Sequence, residues 1–320
     1  MHGFIFYLTA RSKSGRLLAA SLACLACLAL GAAGQAEAAQ AGKLRQKTFD
    51  TPQAAIDALA ATLRSDNHED LIAILGDERL TPRAQEQDRA DVEAFLKSYD
   101  AKNSLDQSQP GRAVLTVGED NWVFPVPLVQ RDQTWSFDTT AGIREIFNRR
   151  IGGNELLTIE AMKAFVAAQL EYAATHSKAE GVRQFACRFF SAKDKKNGLY
   201  WPAQAAKEES PGGPMLAQAA KDECLLLGVE PVAFNGYYFK ILTRQGKHAP
   251  GGSYDYLVRG EMVLGFACVA YPEKFGDTGI MTFIVSQDGV VHQKNLGKKT
   301  AAAAKAMTAY DPDSTWEKAE

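Results

Sequence analysis

Past residue 50 the apolar positions first recur at helical spacing and later at alternate positions. Thr51-Pro52 reads as a helix start, with Thr51 as the N-cap and Pro52 at the first helical position. Ile56, Leu59 and Leu63 then form an amphipathic stripe, and Ser65-Asp66-Asn67 breaks it. A second short helix carries Leu71, Ile72 and Leu75. A third, from about Asp88, carries Val92, Phe95, Leu96 and Tyr99. The period then changes to two. Arg112–Val117 predicts a strand, and Trp122, Phe124, Val126 and Leu128 alternate with Pro125 and Pro127. Prolines donate nothing to a ladder, so this strand is expected at an edge or with a bulge. Trp135 and Phe137 continue the alternation.

Gly142–Arg150 reads as a short connecting helix. Gly152-Gly153-Asn154 punctuates the chain, and a domain boundary is expected there, with Asn154 capping a long helix through Leu156, Ile159, Met162, Val166 and Leu170. Gly181–Phe190 is apolar but ambiguous, and Ala203–Lys221 predicts a long surface excursion. From Ala233 the pattern is strongly β. Tyr237–Leu242, Tyr254–Val258 and Met262–Ala270 predict strands, with a turn at Arg259-Gly260. Asp288-Gly289 between two further β runs is a hairpin signal. Thr300–Thr308 predicts a last short helix. The fold class is therefore α+β, with two domains that each pack helices on an antiparallel sheet.

The N-terminus changes the picture of where such a chain works. Arg11, Lys13 and Arg16 precede an apolar run from Leu17 to Ala33, and Ala36-Glu37-Ala38 follows as a small-residue processing site. This predicts a cleaved signal peptide and a periplasmic or secreted protein. An uncleaved anchor would need about 20 apolar residues. Cys24 and Cys27 lie mid-run without a lipoprotein context. The expected layout is signal peptide 1–38, polar lead-in 39–48, first domain 49–150, second domain 151–312 and tail 313–320.

Losing Arg11, Lys13, Arg16 and Glu37 reduces the 36 basic and 38 acidic residues to 33 and 37. That mild acidity suits solubility and gives no nucleic-acid footprint. No second long apolar run follows, so no membrane span is expected after cleavage. Three cysteines remain. Cys268 lies in an apolar run and reads as a buried small hydrophobe, so Cys187 and Cys224 form the candidate disulfide, with unpaired thiols as the alternative.

Catalytic signatures are sparse. The chain has no Gly-x-Ser-x-Gly, His-Glu-x-x-His, Walker A or Gly-x-Gly-x-x-Gly pattern. Asp66, His68, Glu69 and Asp70 form the densest ligand-like cluster, which reads better as an acid-rich helix start. Asp311 and Asp313 resemble a fragment of a calcium loop without its glycine and distal glutamate. Cys187 with His176 is a weak nucleophile pair. No catalytic residue, metal or cofactor is expected. Aromatic residues exceed what one buried sheet face accepts. The candidate ligand- or partner-binding residues are Trp122, Trp135, Tyr200, Trp201, Tyr238, His248, Tyr254 and Asp255.

Several segments together resemble the exported bacterial family of unknown function DUF2950. They are Phe49-Asp50-Thr51-Pro52, Trp122 through Val129, Asn148 through Glu155, Gly198-Leu199-Tyr200-Trp201-Pro202, Gly236-Tyr237-Tyr238-Phe239, Gly251 through Tyr256 and Gly279 through Val285. That resemblance implies no activity. The first half also resembles cystatin/NTF2-like domains, which implies a concave sheet used as a pocket or dimer surface. The second half resembles the globular head of pilins and pseudopilins through Gly236-Tyr237, Ala270-Tyr271-Pro272 and Phe283 to Val290. The expected function is a non-enzymatic envelope protein that binds another envelope protein or itself. The alternatives are a small-ligand binder with a pocket at Trp122, Phe124, Trp135 and Phe137, and a hydrolase with a dispersed site.

Overall fold

The computed structural model describes residues 45–82, 86–175, 182–192, 195–201, 210–213 and 232–319. The leader, most of the expected 203–221 excursion and Cys224 lie outside the described residues. The chain forms two compact units that divide between Phe147 and Asn148. Among the described residues, no helix is long and apolar enough to cross a membrane.

In the first unit, α1 (Pro52–Arg64) starts as its sequence dictates. The Thr51 hydroxyl accepts the Ala54 N–H at 3.1 Å, and Ile56, Leu59 and Leu63 are buried. Asp66 takes a left-handed conformation (φ 52°) and turns the chain into α2 (His68–Leu75), which Asn67 caps. Then comes α3 (Glu86–Ala101), with Phe95 and Tyr99 buried. The antiparallel sheet has the order β1 (Asn103–Asp106), β2 (Arg112–Val117), β4 (Leu128–Arg131), β5 (Thr134–Phe137), and β3 (Trp122–Val123) also pairs with β2.

Trp122–Leu128 is not one strand. Val123 faces Thr116 and Leu128 faces Ala113, so the segment between them carries more residues than β2 offers and bulges at Phe124–Pro127. Residues 45–48 are also no loose lead-in. The Gln46 amide donates to the carbonyls of Ile74 and Phe137, and Lys47 pairs with Asp70 at 2.8 Å.

The expected break at Gly152-Gly153-Asn154 is absent. A single helix, α4 (Thr139–Thr175), runs through it. Each glycine costs a helix about 1 kcal/mol relative to alanine, and contacts made around them offset that cost. Asn154 does not cap; its Nδ2 donates to the Thr278 carbonyl at 2.9 Å. One Glu155 oxygen accepts the Ile280 and Met281 N–H groups at 2.8 and 2.9 Å, and the Tyr237 hydroxyl, which donates to the Met281 carbonyl at 3.0 Å, lies 3.4 Å from it. Arg150 pairs with Asp277. The first two turns of α4 within this unit thus grip the segment Asp277–Met281.

The large sheet of the second unit is antiparallel. Its order is β16 (Glu317–Lys318), β14 (His292–Lys294), β13 (Thr282–Ser286), β12 (Ala267–Pro272), β7 (Tyr237–Leu242), β6 (Val232–Phe234). Every residue of β12 and β13 is buried, so both faces of the sheet are covered. Tyr237 reaches Glu155 on one face. Lys240, on the other, donates to the carbonyls of Lys305 and Met307 beside α5 (Thr300–Ala306). A hairpin of β10 (Leu257–Val258) and β11 (Glu261–Met262) turns at Arg259-Gly260, both at positive φ. A small sheet joins β15 (Ala309–Tyr310), β8 (Arg244–Gln245) and β9 (Tyr254–Asp255). Residues 313–319 are docked rather than a free tail. Trp316 lies under the Lys294 ammonium, and β16 pairs with β14.

Two stability tests follow from this unit. A Cβ at Gly279 would run into the Tyr237 ring and hydroxyl, and Tyr237 is fully buried. Gly279→Ala is therefore expected to cost about 2 kcal/mol or more in chemical denaturation, as overpacking does. A variant as stable as the wild type would show that the grip is loose.

The second test uses pH. Burial pushes the phenols of Tyr271 and Tyr310 up to about 12, and raises those of Tyr237 and Tyr256 as well. An unfolded tyrosine releases its proton near about 10. Between about pH 10 and 12 the unfolded chain therefore holds fewer protons than the native one, and stability falls as pH rises through that window. Denaturation midpoints that stay flat there would contradict the assignment.

Candidate functional site

The candidate site grows from one buried glutamine. Gln245 ends β8 and is 2% exposed. Its amide nitrogen donates to the Pro250 carbonyl at 2.6 Å and the Gly252 carbonyl at 2.7 Å. Its amide oxygen accepts the Tyr256 hydroxyl at 3.1 Å, and its backbone carbonyl accepts the Ser253 hydroxyl at 3.3 Å. Burial raises the Tyr256 phenol, which keeps it protonated as a donor. One side chain thus satisfies two carbonyls of the loop between β8 and β9 and a phenol just beyond β9. Gly251 and Gly252 take positive φ values of 87° and 79°, the left-handed region that makes the turn.

A second brace comes from Asp311, just after β15. It accepts the His248 N–H at 2.8 Å and lies 3.1 Å from that ring's Nδ1. Gly246 leaves no room for a Cβ against the Asp311 carboxylate, and its N–H donates to the Tyr310 carbonyl at 2.8 Å. The loop is fastened from below and from the side. Its outer surface carries Lys247, His248 and Asp255, all exposed, and Tyr254, half-buried edge-on to Tyr256 with ring centroids 5.7 Å apart. Arg244 and Asp255 stand directly opposite across the strand pair, with 3.4 Å between charged atoms.

Of the eight residues singled out by sequence, the structure brings His248, Tyr254 and Asp255 together on this loop. The others do not join them. Trp135 and Trp201 are core residues at 8% and 7% exposure, so neither offers a binding face. Trp201 lies beneath the Lys196 ammonium. Tyr200 packs on Phe190, and Tyr238 on Tyr271. Trp122 joins a ring cluster with Phe95, Phe124 and Phe137, spaced 5.7 to 6.2 Å, so these rings fill the inner sheet surface themselves.

Two of the remaining candidate carboxylates, Asp70 and Asp313, have structural partners. Asp70 pairs with Lys47 and accepts from the Asn67 amide, while Asp66, His68 and Glu69 are exposed. Asp313 accepts both the Thr315 hydroxyl and the Thr315 N–H, and these two bonds hold its carboxyl below the usual range. No three His, Cys, Asp or Glu side chains gather as a metal set among the described residues. Cys187 is an exposed free thiol, while its expected partner Cys224 and the nearby His176 lie outside the described residues. The protein around Cys187 raises its thiol, the opposite of nucleophile activation. Cys268 is fully buried.

Sequence reasoning missed Gln245 and the bracing role of Asp311. Gln245 sits between Arg244 and Gly246 with nothing local to mark it. Asp311 had a signal, the acid pair Asp311 and Asp313, but its partner lies 63 residues away. Replacing the brace tests it. Gln245→Ala leaves two carbonyls and a buried phenol without their partner, at about 1–3 kcal/mol per unsatisfied group. Hydrogen exchange at the amides of Gly246 to Asp255 is expected to quicken by about tenfold or more, and an unchanged rate would show that the loop is held by other means.

No curated protein and no solved structure matches the chain. The family described as "Protein of unknown function (DUF2950)" matches residues 46–319. That span reaches into both units and includes the start of α4 and the segment it grips, Asp277–Met281. The chain therefore belongs to the DUF2950 family.

Proposed function

We propose that the protein is a non-enzymatic binding module of the cell envelope and that the loop 246–255 is its recognition surface. The observation that carries this reading is the brace. A surface loop whose carbonyls are tied to a buried glutamine has little conformational freedom left to lose when it binds. Polar and aromatic side chains presented from a rigid frame suit protein recognition. The basic residues, apolar run and small-residue site at the N-terminus support export. The long helix and antiparallel sheet of the second unit are elements a pilin-head likeness implies. The helices-then-strands order of the first unit fits an NTF2-like likeness.

Affinity capture with the full chain as bait tests the proposal. Wild type and the His248→Ala/Asp255→Ala variant are compared on the same envelope extract. His248 and Asp255 are exposed and their contacts with Asp311 and Arg244 are surface contacts worth about 1 kcal/mol or less, so the thermal midpoint should fall only slightly. The expected result is a discrete partner retained by the wild type and reduced about tenfold with the variant, as for loss of an interface hot spot. Identical capture by both baits, or no capture together with a monomer by light scattering, would overturn it.

A further inference from the structure

The first unit has a groove on its helical side that the recognition loop does not use. It encloses about 860 Å³ between the end of α1, the start of α2 and α3. That volume lies within the range of small-molecule sites. Asp66, at positive φ in the turn between α1 and α2, lines it. The floor is apolar: Leu63 and Leu71 are buried, and Val92 and Leu96 are half-exposed to the space.

The charges at the rim are unequal in what they are free to do. Arg64 is committed, since it pairs with Asp100 and its guanidinium lies 5.9 Å over the Tyr99 ring. Asp88 is 2% exposed and already engaged. Among the described residues, that leaves the exposed carboxylates of Asp66 and Glu93, on two different walls, against the guanidinium of Arg89. Arg89 and Glu93 lie one turn apart on α3, and no ion pair joins them. The exposed imidazole of His68 also lines the rim. An apolar floor under a rim with surplus negative charge suits a ligand with an apolar body and a cationic end.

We propose that this groove binds a small organic cation, with its apolar body on Leu63, Leu71, Val92 and Leu96 and its charge between Asp66 and Glu93. The site is independent of the loop in the second unit, so either can fail without the other. Octylamine and octanoate form a matched pair of probes, alike in chain and opposite in charge. They are titrated into the isotopically labelled full-length protein and followed by NMR. Octylammonium is expected to bind saturably, to shift the amides of the four floor residues, and to bind about tenfold tighter than octanoate. Asp66→Asn/Glu93→Gln should weaken it about fivefold, the size of effect that partly exposed charge pairs supply. Both substituted residues are at the surface, so the fold should persist, which the unliganded spectrum checks directly. No saturable binding, equal or tighter binding of octanoate, unchanged affinity in the variant, or shifts confined to other residues would each overturn the proposal.

Discussion

The second unit depends on one carboxylate. Glu155 takes two consecutive backbone N–H groups on a single oxygen just where β13 begins, and the buried Tyr237 hydroxyl beside it donates to the Met281 carbonyl of the same segment. Short turns and the Phe275–Gly279 bridge shape the segment before β13, and the helix supplies the acceptor for the N–H groups of Ile280 and Met281. With Arg150 on Asp277 and Asn154 on Thr278, that helix face sets where β13 enters the sheet. β13 and β12 are buried throughout, so a shift there would turn every side chain of a filled core to the wrong face. Two otherwise unfavourable glycines are tolerated in the middle of the helix because the residues that follow them hold that register.

Much of the local structure was legible. Thr51-Pro52 and the Ile56, Leu59, Leu63 stripe place α1 correctly. The Arg259-Gly260 and Asp288-Gly289 turns join antiparallel partners. These signals are local, because caps and turns act within four residues. The misreadings share a different cause. Gly152-Gly153-Asn154 looks like a stop because the bonds that override it come from residues more than 120 positions away. The count of surplus aromatics assumed one wet sheet face. The large sheet is covered on both, so alternation no longer separates inside from outside, and Tyr237 and Tyr271 are both fully buried. The proline segment after Trp122 was legible as bulged or edge, and pairing with β2 decided for the bulge.

The site was legible only in its outer layer. His248, Tyr254 and Asp255 stand out as polar and aromatic residues in a glycine-rich stretch. What makes them a site is Gln245 beneath and Asp311 beside them, a medium-range and a long-range contact that no local pattern marks. The two units also divide their polar chemistry differently. In the second, buried polar groups are spent on bracing backbone. In the first, the acids around Asp66 and Glu93 remain at the surface beside exposed apolar side chains.

The ladder between β7 and β12 has a further consequence. Leu242 and Ala267 stand directly opposite each other, so everything from Thr243 to Phe266 leaves the sheet and re-enters it at neighbouring positions. The small sheet strand β9, the hairpin and the braced loop are all carried on that excursion. A segment with adjoining ends is, in evolutionary terms, an interchangeable cassette. A change in the length of its exposed loop would leave the pairing of Leu242 with Ala267 in register, while Tyr256, Met262 and Phe266 tie the rest of it to the core.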